Sequence, residues 1–262
     1  RLGREAAIGD RPDLHAAAEN ARTRDLAAMR LVDAVIVHSR YEADLLRSLV
    51  PDVTVRVIVW SVPTRTPEIP IERRRGVAFL GGYQHRPNVD AALHLVRDIM
   101  PLVRKQSRGL VCHLAGSRMP PEVTALRAAG IEIAGFVADL ATLFAKVRCT
   151  VAPLRYGAGV KGKVLDSFAH GLPCVMTDIA AEGLDLPADL LWLVAPSTEA
   201  FAEKIAVLHE DDALLRRLSE SALAYIERDF SFGAITSQLG EIVGQAATRR
   251  GAAVRTQALT DV

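Results

Sequence analysis

From residue 76 to residue 230 the chain repeats one arrangement: a short run of four to seven apolar residues, then a helix-spaced segment of about ten or more. GVAFLGG (76–82), GLVCHLAGS (109–117), IEIAGFV (131–137), CTVAPL (149–154), PCVMTD (173–178) and LLWLVA (190–195) read as strands. Helical spacing marks Pro87 to about Lys105, where Val89, Ala92, Leu93, Val96, Ile99 and Met100 recur. PPEVTALRAAG (120–130), ADLATLFAKV (138–147), KGKVLDSFAHG (161–171), Thr198–His209 and Asp212–Arg228 read as further helices. A last helix is expected from about Phe232 to Ala247, with a frayed tail after Arg250. Strands alternating with helices predict βαβ units, hence an α/β fold with a parallel sheet covered by helices on both faces.

The stretch before residue 76 is less regular. Residues 14–32 are Ala- and Leu-rich and read as a helix, and DAVIVHS (33–39) as a strand. Ser39 is placed to cap a helix over Arg40–Leu49, and VTVRVIVW (53–60) alternates as a second strand. SVPTRTPEIPIERRR then carries Pro63, Pro67, Pro70 and a run of arginines without apolar periodicity, so it predicts an extended linker. The division expected is 1–65, the end of one domain with its linker; 66–230, a complete Rossmann-like domain; and 231–262, a returning helix and tail. The chain opens at Arg1 with no strand before its first helix, and the expectation is a piece of a larger protein.

Composition excludes several classes. Lys+Arg number 32 against Asp+Glu 31, a formal charge of +1, so no cationic surplus exists to drive nucleic-acid binding. Cys112, Cys149 and Cys174 are odd in number, far apart and set in apolar runs, which predicts reduced core residues in a cytoplasmic protein and no disulfide frame. The histidines lack metal spacing, so no metal is expected. No apolar stretch approaches a membrane span.

Parallel sheets bind ligands at the carboxyl ends of their strands, and there the residues are unusually polar or glycine-rich. After the first strand, GGYQHRPN (81–88) sets Gly81 and Gly82 before a helix that starts near Pro87, a geometry that lets backbone N–H groups approach a phosphate. The Gly-x-Gly-x-x-Gly spacing of a dinucleotide site is absent, which disfavours NAD. The strongest signal is PLRYGAGVKGKVLDSFAHGLPCVMT (153–177). Gly157, Gly159 and Gly162 loosen the strand-to-helix loop, and Lys161 and Lys163, two of only five lysines, stand at its exit. Two cations at a helix N-terminus oppose its dipole unless an anion joins them, and a diphosphate suits. Asp166 falls one turn beyond Lys163, able either to accept from ribose hydroxyls or to form a solvated i,i+3 pair with that lysine.

The segment 153–184 resembles the donor-binding signature of the group 1 (family 4) glycosyltransferases, which have the GT-B fold. FLGGYQHRPNVDAALHLV resembles their first C-domain loop, IEIAGFVADLATLFAKV the turn that borders the nucleobase, and VDAVIVHSRYEADLL with VRVIVWSVP the end of their N-terminal domain. The resemblance implies two Rossmann-like domains facing a cleft, the first only partly represented here. It implies transfer from a nucleotide-sugar donor, with retention at the anomeric carbon and no metal or other cofactor. By position, Gly81 and Gly82 would line the phosphates, and Lys161 or Lys163 would neutralise the leaving diphosphate. Asp166 would hold the ribose, and Gly135, Phe136 and Val137, within the stretch to Asp139, would border the base. Glu182 and Gly183 would approach the sugar or phosphates, Gly159 would belong to the donor loop, and Arg86 would contact the donor or, with His85, cap its loop. One departure is plain: where the family carries the first of two acids, Ala158 stands here, and Asp replaces the usual Glu at 166.

The expected protein is thus a hexosyltransferase-type enzyme acting on a glycan or lipid-linked acceptor in cell-surface polysaccharide synthesis. This chain alone is expected to be inactive, to bind no nucleic acid, and to reach the inner face of the plasma membrane, if at all, through the rest of the N-terminal domain. A non-catalytic nucleotide-sugar-binding module and a sugar-nucleotide epimerase of the same fold are the alternatives; the epimerase would need acid/base carboxylates and histidines in the cleft.

Overall fold

A computed structural model describes residues 12–65 and 69–260. Residues 1–11 of the first predicted domain, 66–68 of the linker, and 261–262 of the tail lie outside the described residues.

The larger sheet is five-stranded and wholly parallel: β3 (Val77–Leu80), β4 (Cys112–Ala115), β5 (Ile131–Gly135), β6 (Cys149–Ala152) and β7 (Cys174–Met176), in the order β5-β4-β3-β6-β7. The central strands β3 and β6 are buried along their whole length, as strands covered on both faces must be, whereas β5 at the edge alternates. Strand order runs outward from β3 through β4 to β5, then restarts on the other side of β3 with β6. The point of reversal therefore lies between β3 and β6, and a crevice opens there at the carboxyl ends.

Upstream, α1 (Pro12–Met29) precedes a two-stranded parallel sheet of β1 (Val35–Val37) and β2 (Val55–Val57), joined through α2 (Arg40–Leu49). Ser39 caps α2 as its sequence predicts, its hydroxyl accepting from the Glu42 N–H at 3.1 Å. His38 is structural: its Nδ1 donates to the Ile58 carbonyl at 2.8 Å and its ring packs edge-on against Trp60.

The helices that follow β2 are α3 (Arg86–His94), α4 (Met100–Gln106), α5 (Pro121–Thr124), α6 (Leu140–Phe144), α7 (Gly162–Ala169), α8 (Asp178–Ala181), α9 (Thr198–Glu210), α10 (Asp212–Phe230) and α11 (Phe232–Thr260). The segment predicted as one helix from Pro87 to Lys105 is α3 and α4 joined by a wider π turn at Leu95–Ile99. Pro101 accounts for it: the ring has no N–H to donate and would crowd the Arg97 carbonyl in a regular turn.

Three predicted elements differ. LLWLVA forms no strand; Ala188–Leu193 is a 3-10 helix, and only Val194 bridges Met176. Leu190 and Leu193 are buried three residues apart while Leu191 faces solvent, a period of three that a two-sided strand cannot satisfy. The helix expected over 120–130 stops at Thr124, because Val123 is the one buried residue in that stretch and a single anchor does not stabilise a longer helix. The tail expected to fray after Arg250 continues as helix to Thr260.

The arginine-rich linker is more than a tether. Arg74 is 3% exposed; its guanidinium donates to the Ile69 carbonyl and, at 3.1 Å, to that of Phe144. The Val62 N–H donates to Phe230 O and the Arg65 N–H to Ala169 O, each at 2.8 Å, so the segment runs pinned along the larger unit. Beyond it, α11 reaches the smaller sheet, where Arg56 donates to the Gln245 side chain at 3.2 Å.

Candidate functional site

The crevice holds a cavity of about 490 Å³ lined by Leu80, Gly81, Gly82, Ala115, Gly116, Ser117, Phe136, Val137, Ala138, Leu140, Lys163 and Asp166. Its floor is the ends of β3 and β4, which approach unusually closely. A Cβ on Gly116, where φ is +140°, would sit 1.7 Å from the Gly81 carbonyl oxygen, so only glycine fits. Gly81 continues the ladder by donating to the Ala115 carbonyl at 3.0 Å. One wall is the turn after β5, where Phe136 is 74% exposed beside Val137.

The opposite wall is α7. Val164, Leu165 and Phe168 pack onto the sheet, and a buried polar relay fixes the helix: Thr150 on β6 donates to the Ser167 hydroxyl at 2.5 Å, which donates to the Leu172 carbonyl at 2.9 Å. This packing turns Lys163 and Asp166 toward the cavity. The Lys163 ammonium stands 4.5 Å above the Phe79 ring and donates to Asn88 Oδ1 at 2.5 Å. Burial, and then the neighbouring Lys161 cation, pull its pKa down to about 7 from the ordinary 10.5. Burial raises that of Asp166, with His170 opposing.

The two lysines, equivalent in sequence, thus separate in space. Lys161 is 9% exposed at the N-cap of α7, and its ammonium folds back onto the Gly159 carbonyl. Neither Lys161 nor Gly159 lines the cavity. Gly135 ends β5 with φ +69° just outside it, and Arg86 is exposed at the first residue of α3. Glu182 and Gly183 lie elsewhere, along the seam with the smaller unit. Gly183 borders a second cavity of about 530 Å³ that His38, Ser39 and Arg40 also line, and a Cβ on it would meet Ser39 at 2.9 Å. The glycine–lysine loop shares that seam: a Cβ on Gly159 would stand 3.5 Å from the Glu42 carboxylate, and one on Gly162 3.6 Å from Trp60.

Sequence reasoning missed Asn88 and Phe79, the two residues that hold the lysine. Phe79 lay inside an apolar strand and Asn88 inside a loop read for its glycines, and neither carries a local signal of contact with residue 163. All three cysteines are buried and unpaired by disulfides, and burial pushes the thiols of Cys112 and Cys174 up to about 12. Among the described residues, no cluster of three His, Cys, Asp or Glu converges as metal ligands would, and no helix is long and apolar enough to cross a membrane.

No curated protein sequence matches the chain significantly. Among solved structures, S. aureus TarM bound to fondaparinux, alpha-GlcNAc-glycerol and UDP superposes with a TM-score of 0.72 at 14% identity, covering 85% of this chain and 46% of that one. Sucrose-phosphate synthase from Thermosynechococcus elongatus gives 0.70 at 19% identity, over 88% and 62%. Anabaena HepE with UDP and glucose gives 0.69 at 14% identity, over 87% and 67%. The chain therefore spans under half the length of TarM, and these likenesses establish the shared GT-B-type, Rossmann-like fold. Residues 74–211, more than half of the chain and the whole of the cavity's lining, match the family described as Glycosyl transferases group 1. The chain belongs to the group 1 glycosyltransferases.

Proposed function

We propose that this chain holds the nucleotide-sugar donor of a retaining hexosyltransferase whose acceptor is a glycan or lipid-linked sugar of a cell-surface polysaccharide. The observation that carries the reading is Lys163. It is a half-buried cation facing a glycine-floored cavity at the carboxyl ends of a parallel sheet, at the point where strand order reverses. In that place an ammonium neutralises a diphosphate leaving group, and the glycine turns let backbone N–H groups approach the same oxygens. Asp166, one turn further on, accepts from the ribose hydroxyls, and the exposed Phe136 ring with Val137 borders the base. Lys161 acts at one remove, closing the loop through Gly159. The bound UDP of TarM and of HepE supports a nucleoside diphosphate as the leaving group. No metal enters this scheme, since charge neutralisation falls to lysine. Completion of transfer is assigned to residues on the acceptor side, so this chain alone binds donor without turning it over.

An epimerase is the weaker reading, because Lys163 and Asp166 are the ionisable side chains among those lining the cavity and no histidine joins them. Calorimetry with UDP-, GDP- and dTDP-sugars tests the proposal. Micromolar binding of one of them, lost in the Lys161→Ala/Lys163→Ala double variant, is expected; unchanged affinity would sink the diphosphate assignment. Isomerisation of the donor sugar without an acceptor would favour the epimerase.

A further inference from the structure

Asn88 stands in the first turn of α3 and makes hydrogen bonds in two directions. Its Nδ2 donates to the Gly82 carbonyl at 2.9 Å, and its Oδ1 accepts from Lys163 Nζ at 2.5 Å. Gly82 belongs to the turn after β3, and Lys163 to the helix after β6. These strands are neighbours on either side of the reversal in strand order, so one amide ties the turn after β3 to the α7 wall. The amide is itself held in place. Its backbone N–H donates to the His85 carbonyl at 2.9 Å, and its Cβ lies 3.0 Å from the point where Gly81 would carry one.

Only a side chain that both donates and accepts can make this bridge. A carboxylate of the same shape would keep the acceptor for the ammonium and lose the donor to Gly82, and an aliphatic group would lose both. A free lysine side chain samples many rotamers, whereas here its stem crosses the Phe79 ring and its tip is fixed by Asn88. We propose, on the donor-binding reading above, that Asn88 is a positioning residue that ties the Lys163 ammonium to the glycine turn after β3 and so sets where this cation meets a diphosphate.

The surroundings make the bond measurable. The charged and titratable groups around the ammonium are Lys161 in the preceding loop, Asp166 one turn further along α7 and the Cys174 thiol on β7; its contacts on β3 and α3 are Phe79 and Asn88, both neutral. Burial and Lys161 disfavour the charged form of Lys163, and the Asn88 oxygen is an acceptor that favours it. Removing that acceptor makes the lysine easier to deprotonate.

With five lysines in the chain, labelling lysine Cε with 13C lets each titrate as a separate NMR signal. The experiment follows Lys163 in wild type, Asn88→Ala and Asn88→Asp without nucleotide, then measures pyrophosphate and nucleoside diphosphate (UDP, GDP, ADP) binding, with thermal melts as a check on folding. Asn88→Ala should lower the Lys163 midpoint by about one pH unit. Asn88→Asp, which keeps an acceptor and adds a charge, should raise it above wild type. Pyrophosphate affinity should fall about tenfold in the alanine variant at pH 8 and less at pH 6, where about half of the variant's Lys163 is still charged. It should fall in the aspartate variant through charge cancellation. If Asn88→Ala does not fold, the aspartate variant decides alone. A Lys163 midpoint that moves in neither folded variant overturns the proposal. Failure of every diphosphate to bind wild type would instead overturn the donor reading, and the nucleotide-free titration would still decide the role of Asn88.

Discussion

Lys163 and Asp166 lie one turn apart on α7 and face the same cavity, yet the ammonium bonds Asn88 instead of the carboxylate. The pair is therefore not the ordinary solvated i,i+3 ion pair that its spacing allows. The cation and the carboxylate are thus presented to the cavity separately, as the proposed phosphate and ribose roles require.

Asp166→Ala should separate those roles. The affinity for UDP or the preferred nucleoside diphosphate should fall about tenfold, the worth of charge-assisted hydrogen bonds to a ribose. Binding of inorganic pyrophosphate, which has no ribose, should be unchanged or tighter once a nearby anion is gone. Calorimetric titration of both ligands checks this, and equal losses for the two would refute the ribose role.

Donor binding should take up a proton. With a pKa near 7 instead of 10.5, Lys163 is largely neutral in the ligand-free chain at about pH 8, and a bound diphosphate favours its charged form. Affinity should therefore drop as pH rises through 7, and binding enthalpies at about pH 8 should differ between buffers of different ionisation enthalpy. The sign for folding is opposite. Between 7 and 10.5 the unfolded chain holds the extra proton, so the contribution of Lys163 to ligand-free stability rises with pH across that window.

Gly116→Ala should damage the cavity floor. The added methyl would overlap the Gly81 carbonyl, a backbone atom that cannot swing away, and φ there is one that alanine resists. A loss of about 3 kcal/mol in denaturant unfolding is expected, with nucleotide binding abolished.

At the far end of the sheet, His209 should make the protein acid-sensitive. It is buried; its Nδ1 donates to Ile205 O at 2.7 Å and its Nε2 accepts from the Gly76 N–H at 3.2 Å. Burial lowers its pKa, so it remains neutral when folded while the unfolded histidine protonates near its ordinary 6.5. Its contribution to stability should be lost as pH falls through that value. A His209→Gln variant should show a smaller drop in Tm between pH 7 and pH 5 than wild type.

Much of the fold was legible because its strands carry their own signal. The runs around Val77–Leu80 and Cys149–Ala152 are apolar on both faces, as a covered parallel strand requires, and Gly81–Gly82 mark where the first meets the cavity. The 3-10 turn at Ala188–Leu193 was not legible, because a run of leucines satisfies a strand or a buried helix equally until its neighbours are known. The site was legible as a segment and not as contacts. Lys161 and Lys163 share one sequence context, and only the packing of Val164, Leu165 and Phe168 on the sheet turns the second toward the cavity. Asn88 is 75 residues from Lys163, a pairing set by the strand order and by no local pattern.

Lys163, and not Lys161, should meet the donor's diphosphate. The most direct measurement of this is the affinity of the preferred nucleoside diphosphate for Lys163→Ala and Lys161→Ala at about pH 6.5, with folding verified for each. A loss of ten- to hundredfold in Lys163→Ala, several times that in Lys161→Ala, is predicted. Wild-type affinity in folded Lys163→Ala would contradict it.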